Sequence, residues 1–201
     1  MARPREFDED AALEMATERF WLNGFGATSV RDLAASMGIT GASLYNAFGD
    51  KRALYRRAFE QYVEKGFCER VRRFEGELPP RAAIEAFFDE IVHMSLSDPQ
   101  HKGCLIVNAA LELSPVDPEL QPVIAKVLRT MEDFFHRCIK AGQADGSMAA
   151  TLPPRDLART LLSVLLGLRV LARSRPEPAL LRGALRPALA LLAPPDTASR
   201  R

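Results

Sequence analysis

Val30-Arg-Asp-Leu-Ala-Ala-Ser-Met-Gly-Ile-Thr-Gly-Ala-Ser-Leu-Tyr-Asn-Ala-Phe48 reads as two short helices folded across a glycine turn. Its register is demanding. Helices packed steeply across a tight turn need a small side chain at their closest approach, and Ala34 stands there. The turn needs a residue that takes positive φ, and Gly38 follows four positions later. Leu33, Met37, Ile39 and Leu44 supply the apolar inner faces, with Ala47 or Phe48 closing the set. Thr40 stands where the next helix needs an N-cap. A plain helical hairpin would obey the same packing rules, but its solvated face would carry charges of both signs. Here the outer face shows Ala42, Ser43, Tyr45 and Asn46, with no acid among them. A helix face that lies in the major groove near phosphates excludes acids. The run is therefore expected to be a helix-turn-helix.

Working outward, nearly every segment carries a helical period, and strand alternation is absent. Asp8 to Leu22 is a first helix with Leu13, Ala16, Thr17 and Phe20 on one stripe, ended by Gly24 and Gly26. Asp50 is expected to cap a long fourth helix running to about Phe74. Pro79-Pro80 marks a junction. Beyond it come helices over 81–97, 103–113, 118–141, 154–173 and 178–192, with Pro187 expected to kink or split the last. The expected fold is all-α with about nine helices. Residues 1–50 form a DNA-binding domain of three helices, and 51–201 form a larger helical domain for ligand binding and dimerisation.

Bulk properties bound the function. The 201 residues carry a net charge of +1, and the first sixty hold eight Lys/Arg against nine Asp/Glu. Any nucleic acid must therefore be held by charges sorted onto one face, because bulk attraction is missing. Cys68, Cys104 and Cys138 are too scattered for a disulfide framework. The polar start and the charges inside Leu157–Ala172 argue against a signal peptide or a membrane span, so the expected compartment is the cytoplasm. His101-x-x-Cys104 and His136-x-Cys138 are isolated pairs, too few for zinc, and no cofactor is expected. Phosphate-loop, nucleophile-elbow and zinc-protease motifs do not occur, which excludes an enzyme of those classes. A helical binding module without DNA is the remaining alternative.

The run Phe20 to Tyr55 resembles the N-terminal domain of TetR/AcrR-type repressors. The resemblance rests on Gly24-Phe-Gly-Ala-Thr28-Ser29-Val30, Leu33-Ala34, Gly38-Ile39, Leu44-Tyr45-Asn-Ala-Phe48 and Lys51-Arg-Ala-Leu54. It implies that Thr28, beside Ser29, caps the second helix and touches a phosphate. Tyr45 and Lys51 would also reach the DNA backbone. Thr40, Ala42, Ser43 and Asn46 are its base-edge candidates, with Asn46 suited to adenine and Ala42 to a thymine methyl. Arg3 and Arg5 would follow the backbone or enter the minor groove, unless they are only a terminal arm. Many relatives have His where this chain has Ala47, so one phosphate contact is missing.

The segment 157–171 is apolar around nearly its whole circumference, so one side serves its own core and the other needs a partner. Leu161, Leu165 and Leu168, with Leu181, Leu185 and Leu189 of the last helix, are the expected interface of a two-fold, four-helix dimer; the resemblance implies the same. A dimer would place two heads on a palindromic double-stranded operator. Phe87, Phe88, Ile91, Met94, Met131 and Phe135, together with Cys104 and Asn108, are the candidates for a cavity holding a small apolar or electrophilic inducer; ordinary core is the plainer reading of each. Lys102-Gly-Cys-Leu-Ile-Val-Asn-Ala-Ala-Leu-Glu112 is similar to a stretch of some relatives that sense electrophiles or oxidants. Cys104, at an expected helix N-terminus beside Lys102, would have a lowered thiol pKa.

Overall fold

The computed structural model describes residues 8–194, so Arg3 and Arg5 lie outside the described residues. The helices are α1 (Glu9–Ala27), α2 (Val30–Met37), α3 (Gly41–Phe48), α4 (Lys51–Tyr62), α5 (Glu69–Glu77), α6 (Pro80–Ser97), α7 (Leu105–Glu112), α8 (Leu120–Ala144), α9 (Pro154–Ser174) and α10 (Pro178–Ala190). A π-helical turn, Val63–Cys68, joins α4 to α5. Among the described residues the fold is all-α, and no helix is long and apolar enough to cross a membrane.

Gly24 breaks α1 as expected: it turns the chain (φ 83°, ψ 170°), and a short helical turn follows to Ala27. Three local expectations change. The fourth helix does not run uniformly to Phe74 but passes through the π turn and reaches Glu77. Gly103 is outside α7 at φ 73°, and Cys104 is its N-cap residue, extended at φ −129°. Pro187 does not split α10, which runs unbroken past it. The proline is exposed, so its ring meets no core.

The chain forms two compact units. The first holds residues up to Phe67 together with Cys104–Ile124. In it α1 packs on α2, α4 and α7. Leu13, Ala16, Phe20, Leu33, Leu44, Phe48, Leu54 and Phe59 fill its core, each worth about 1.5–3 kcal/mol for the larger side chains. Asp117 caps the start of α8: its Oδ1 accepts the Glu119 and Leu120 N–H groups at 3.0 Å.

The second unit holds Cys68–Gly103 and residues from Ala125 on. There α6 packs on α5, α9 and α10, and α9 on α10. Its centre is a cluster of phenylalanine rings: Phe87 lies 5.2 Å from Phe134 and 5.6 Å from Phe135, and Phe88 stacks on Phe135 at 5.4 Å. Such ring pairs add to plain area burial. Arg169 is only 6% exposed, although it sits on the apolar helix α9. Its guanidinium donates to the Ser95 hydroxyl at 2.6 Å and to the Gly103 carbonyl. Gly103 is fixed there, since an added Cβ would meet the Arg173 Cβ at 3.2 Å.

Candidate DNA-binding site

The turn between α2 and α3 forms as its residues require. Gly38 adopts the left-handed region (φ 65°, ψ 27°), and its N–H reaches the Ala34 and Ala35 carbonyls. Ile39 N–H donates to Ala34 at 3.1 Å, which closes the end of α2. Leu33, Ala34, Met37, Leu44 and Phe48 are buried; Phe48, rather than Ala47, completes the inner face.

The N-termini of α2, α3 and α4 are each capped by the residue before them. Ser29 caps α2 in a capping box: Asp32 N–H donates to its Oγ at 3.1 Å, and the Asp32 carboxylate accepts the Ser29 N–H at 3.1 Å and the Ser29 hydroxyl at 2.6 Å. Those two bonds hold the Asp32 carboxyl below its usual range. The cap is therefore Ser29, not Thr28. Thr28 is 0% exposed and donates its hydroxyl to the Gly24 carbonyl at 2.7 Å, so its side chain is turned away from any phosphate. Thr40 caps α3 by accepting the Ser43 N–H at 3.1 Å, and its hydroxyl pairs with the Ser43 hydroxyl at 2.9 Å. Asp50 caps α4 through the Ala53 N–H at 2.7 Å.

The outer face of α3 carries Ala42, Asn46 and Tyr45, the last 52% exposed, with Ser43 half-buried beside them. No acid lies on this helix. Lys51, the first residue of α4, is half-buried with its Nζ 4.4 Å from the centre of the Phe25 ring. Burial lowers its pKa, and the Glu112 carboxylate opposes that shift. Behind it Phe20, Phe25, Tyr55 and Phe59 form a continuous aromatic cluster of stacked and edge-to-face pairs. Burial, chiefly, and then Glu112 raise the Tyr55 phenol well above its ordinary value.

Two carboxylates that the sequence did not single out hold this head. Glu112 accepts Phe25 N–H at 3.0 Å and Gly26 N–H at 2.6 Å. Asp117 accepts from Arg52 Nε at 2.9 Å. The Gly-x-Gly spacing of 24 and 26 was the available signal: a Cβ on Gly24 would lie 2.9 Å from a Glu112 oxygen, so that glycine serves close approach as well as positive φ.

The body residues divide. Phe87, Phe88, Ile91, Met131 and Phe135 are buried in the second unit, where the three phenylalanine rings contact one another; Met94 is 36% exposed. Cys104, half-buried, and Asn108 belong to the first unit, so the eight candidates do not form one cluster within a unit. Of the six interface leucines, Leu161, Leu165, Leu168, Leu181 and Leu185 are buried in their own subunit and cannot face a partner; only Leu189 is half-buried. The sequence pattern put all six leucines on an outward face, and the structure puts five of them inside. Outward on α9 are Leu162 and Leu166, half-buried, and Val170, 46% exposed; on α10 they are Leu180, Ala184 and Pro187, with Leu191 just past its end. Among the described residues no group of three or more His, Cys, Asp or Glu could hold a metal.

A capped helix-turn-helix with an acid-free outer face, carried on a helical body, defines a DNA-binding regulator of transcription. The profile for bacterial regulatory proteins of the tetR family matches residues 12–58, and that for the tetracyclin repressor-like C-terminal domain matches residues 80–187. An uncharacterised HTH-type transcriptional regulator of Bacillus subtilis, YezE, is 36% identical over 70% of this chain and 73% of its own. The HTH-type transcriptional repressor ComR of Escherichia coli is 27% identical over 85% of this chain and 82% of its own. A cysteine mutant of the TetR family transcriptional regulator CifR, solved with a 26-bp double-strand operator DNA, superposes with a TM-score of 0.84 at 31% identity, over 95% of this chain and all of that one. The chain belongs to the tetR family of bacterial regulatory proteins, which are DNA-binding transcription factors and not enzymes.

Proposed function

We propose that this regulator is a cytoplasmic repressor that binds a palindromic operator as a homodimer and leaves it when the body, within residues 51–201, responds to a small apolar or electrophilic molecule. The acid-free face of α3 carries the DNA-reading part. Residues 1–50 present it. Asn46 reads an adenine edge and Ala42 a thymine methyl, with Thr40 and Ser43 at neighbouring base edges. Tyr45, Lys51 and the α2 N-terminus at Ser29 hold phosphates, while Thr28 acts by fixing Ser29. Relatives named as repressors, and the operator complex of CifR, support the direction of control. The outward apolar residues of α9 and α10 form the dimer face. An inducer of the second unit must part the phenylalanine rings, and it releases DNA to the extent that it prefers the parted state.

Selection of bound duplexes from a random-sequence pool tests the operator. An enriched palindrome with half-sites about one helical turn apart is expected; enrichment of a single unrepeated site removes the dimeric reading. On the selected duplex, Tyr45→Phe should weaken binding to cognate and random DNA alike. Asn46→Ala should cost about 1–3 kcal/mol on the cognate duplex and relax preference at one base pair. Equal loss on both duplexes would remove Asn46 from base reading.

One observation favours a second reading of the signal. Cys104 is a half-buried free thiol at the N-cap position of α7, a helix that packs in the same unit as the DNA-reading helices. Under this reading a reactive aldehyde or quinone releases DNA from the native chain and not from Cys104→Ser. Equal release from both would leave the second unit as the sensor.

A further inference from the structure

Glu112 is the last residue of α7, yet its carboxylate ends on backbone 86 and 87 positions earlier. Gly24 breaks the run of α1, and Phe25 and Gly26 are the first N–H groups of the turn that follows. Both donate to Glu112, one to each oxygen. This carboxylate does for that turn what an N-cap side chain does within a helix. The turn leads directly to Thr28, whose hydroxyl ties back to Gly24, and then to Ser29, the cap of α2. Asp117, five residues after Glu112, holds Arg52 on the first turn of α4. The 104–124 segment thus grips the DNA-reading helices at both flanks, at the entry to α2 and at the start of α4.

We propose that Glu112 is a positioning residue for DNA binding: by holding the Phe25–Ala27 turn it sets where α2, and through it α3, stands. The proposal rests on α3 as the DNA-reading helix and on nothing about the inducer. It also gives α7 a direct line to the reading head, because Asn108 stands one turn before Glu112 on the same helix and Cys104 is that helix's N-cap residue. A displacement of α7 along or about its axis withdraws the carboxylate from Phe25 and Gly26.

Simple charge and positioning predict opposite signs here. Glu112 is a negative charge beside Lys51. If it only opposed phosphates, removing it would strengthen DNA binding. The positioning role predicts that Glu112→Ala weakens binding to the duplex selected by the native chain by about tenfold, and Glu112→Gln, which keeps one acceptor oxygen, by less. The full-length protein should keep its melting temperature within a few degrees, while amide exchange at Phe25 and Gly26 accelerates in both variants. Unchanged or tighter binding overturns the proposal, as does weaker binding with both amides still protected. If Glu112→Ala does not fold, Glu112→Gln decides by the same two readouts. A native chain that selects no duplex would instead remove the DNA-reading assignment of α3, a separate failure.

Discussion

Leu44→Ala should lose sequence-selective DNA binding while every candidate DNA contact remains in place. Leu44 is the one residue of α3 that is wholly buried, at 0% exposure, and it stands in the middle of the helix's inner face. The helix has only eight residues, too few to hold its shape without packing. Truncation removes three carbons from a core that also contains Leu33, Phe48 and Leu54, at a cost of about 2–5 kcal/mol. Whole-domain stability is only about 5–15 kcal/mol, so a loss of this size leaves α3 undocked for an appreciable fraction of the time. The expected result is a drop of roughly two orders of magnitude in affinity for the selected duplex, with an earlier melting transition. Val116→Ala, at a residue 73% exposed in the same unit, removes a similar amount of apolar carbon and should change neither readout. Normal binding by Leu44→Ala would mean that α3 is held by something other than its inner face.

Leu44 also shows what the sequence makes legible. The helix-turn-helix is written in contacts three to ten residues apart, so Ala34, Gly38, Thr40 and Leu44 could be assigned from spacing, and α2 and α3 have the limits expected of them. Interactions across the chain leave no such period. Glu112 looks like an ordinary solvated acid until Gly24 and Gly26 are brought beside it. Arg169 interrupts an apolar run and would be assigned to the surface, yet its guanidinium is buried, with its two terminal nitrogens donating to Ser95 and the Gly103 carbonyl. Thr28 and Ser29 illustrate a finer limit. Both can cap a helix, and the choice fell to Ser29 because Asp32 follows it at the capping-box spacing while the Gly24 turn takes up the Thr28 hydroxyl. The leucines of α9 show the same effect at larger scale. A helix apolar all round declares that two sides are wanted, but which side meets the subunit's own core depends on where α6 and α10 lie.

That correction relocates the strongest test of the dimer. Leu166→Glu with Val170→Glu should turn the protein into a monomer. The two positions lie four residues apart on the outward flank of α9, whereas Leu161, Leu165 and Leu168 on the opposite side fill the subunit core. Two carboxylates placed there stay hydrated in a lone subunit and cost it little, but against a second copy of the same face they would have to shed that water. Light scattering at micromolar concentration should give half the native mass, with the melting of the reading head preserved. Affinity for the palindromic duplex should fall by about 10²–10⁴, because the second head no longer benefits from the first as a tether. Binding to a single half-site should survive at its own weak level. The corresponding change at Leu165, Leu165→Glu, buries charge within the subunit and should unfold the body instead, which separates an interface residue from a core one on the same helix. If the outward double variant remains dimeric, these two helices are not the interface, and the palindrome must be read by subunits joined elsewhere.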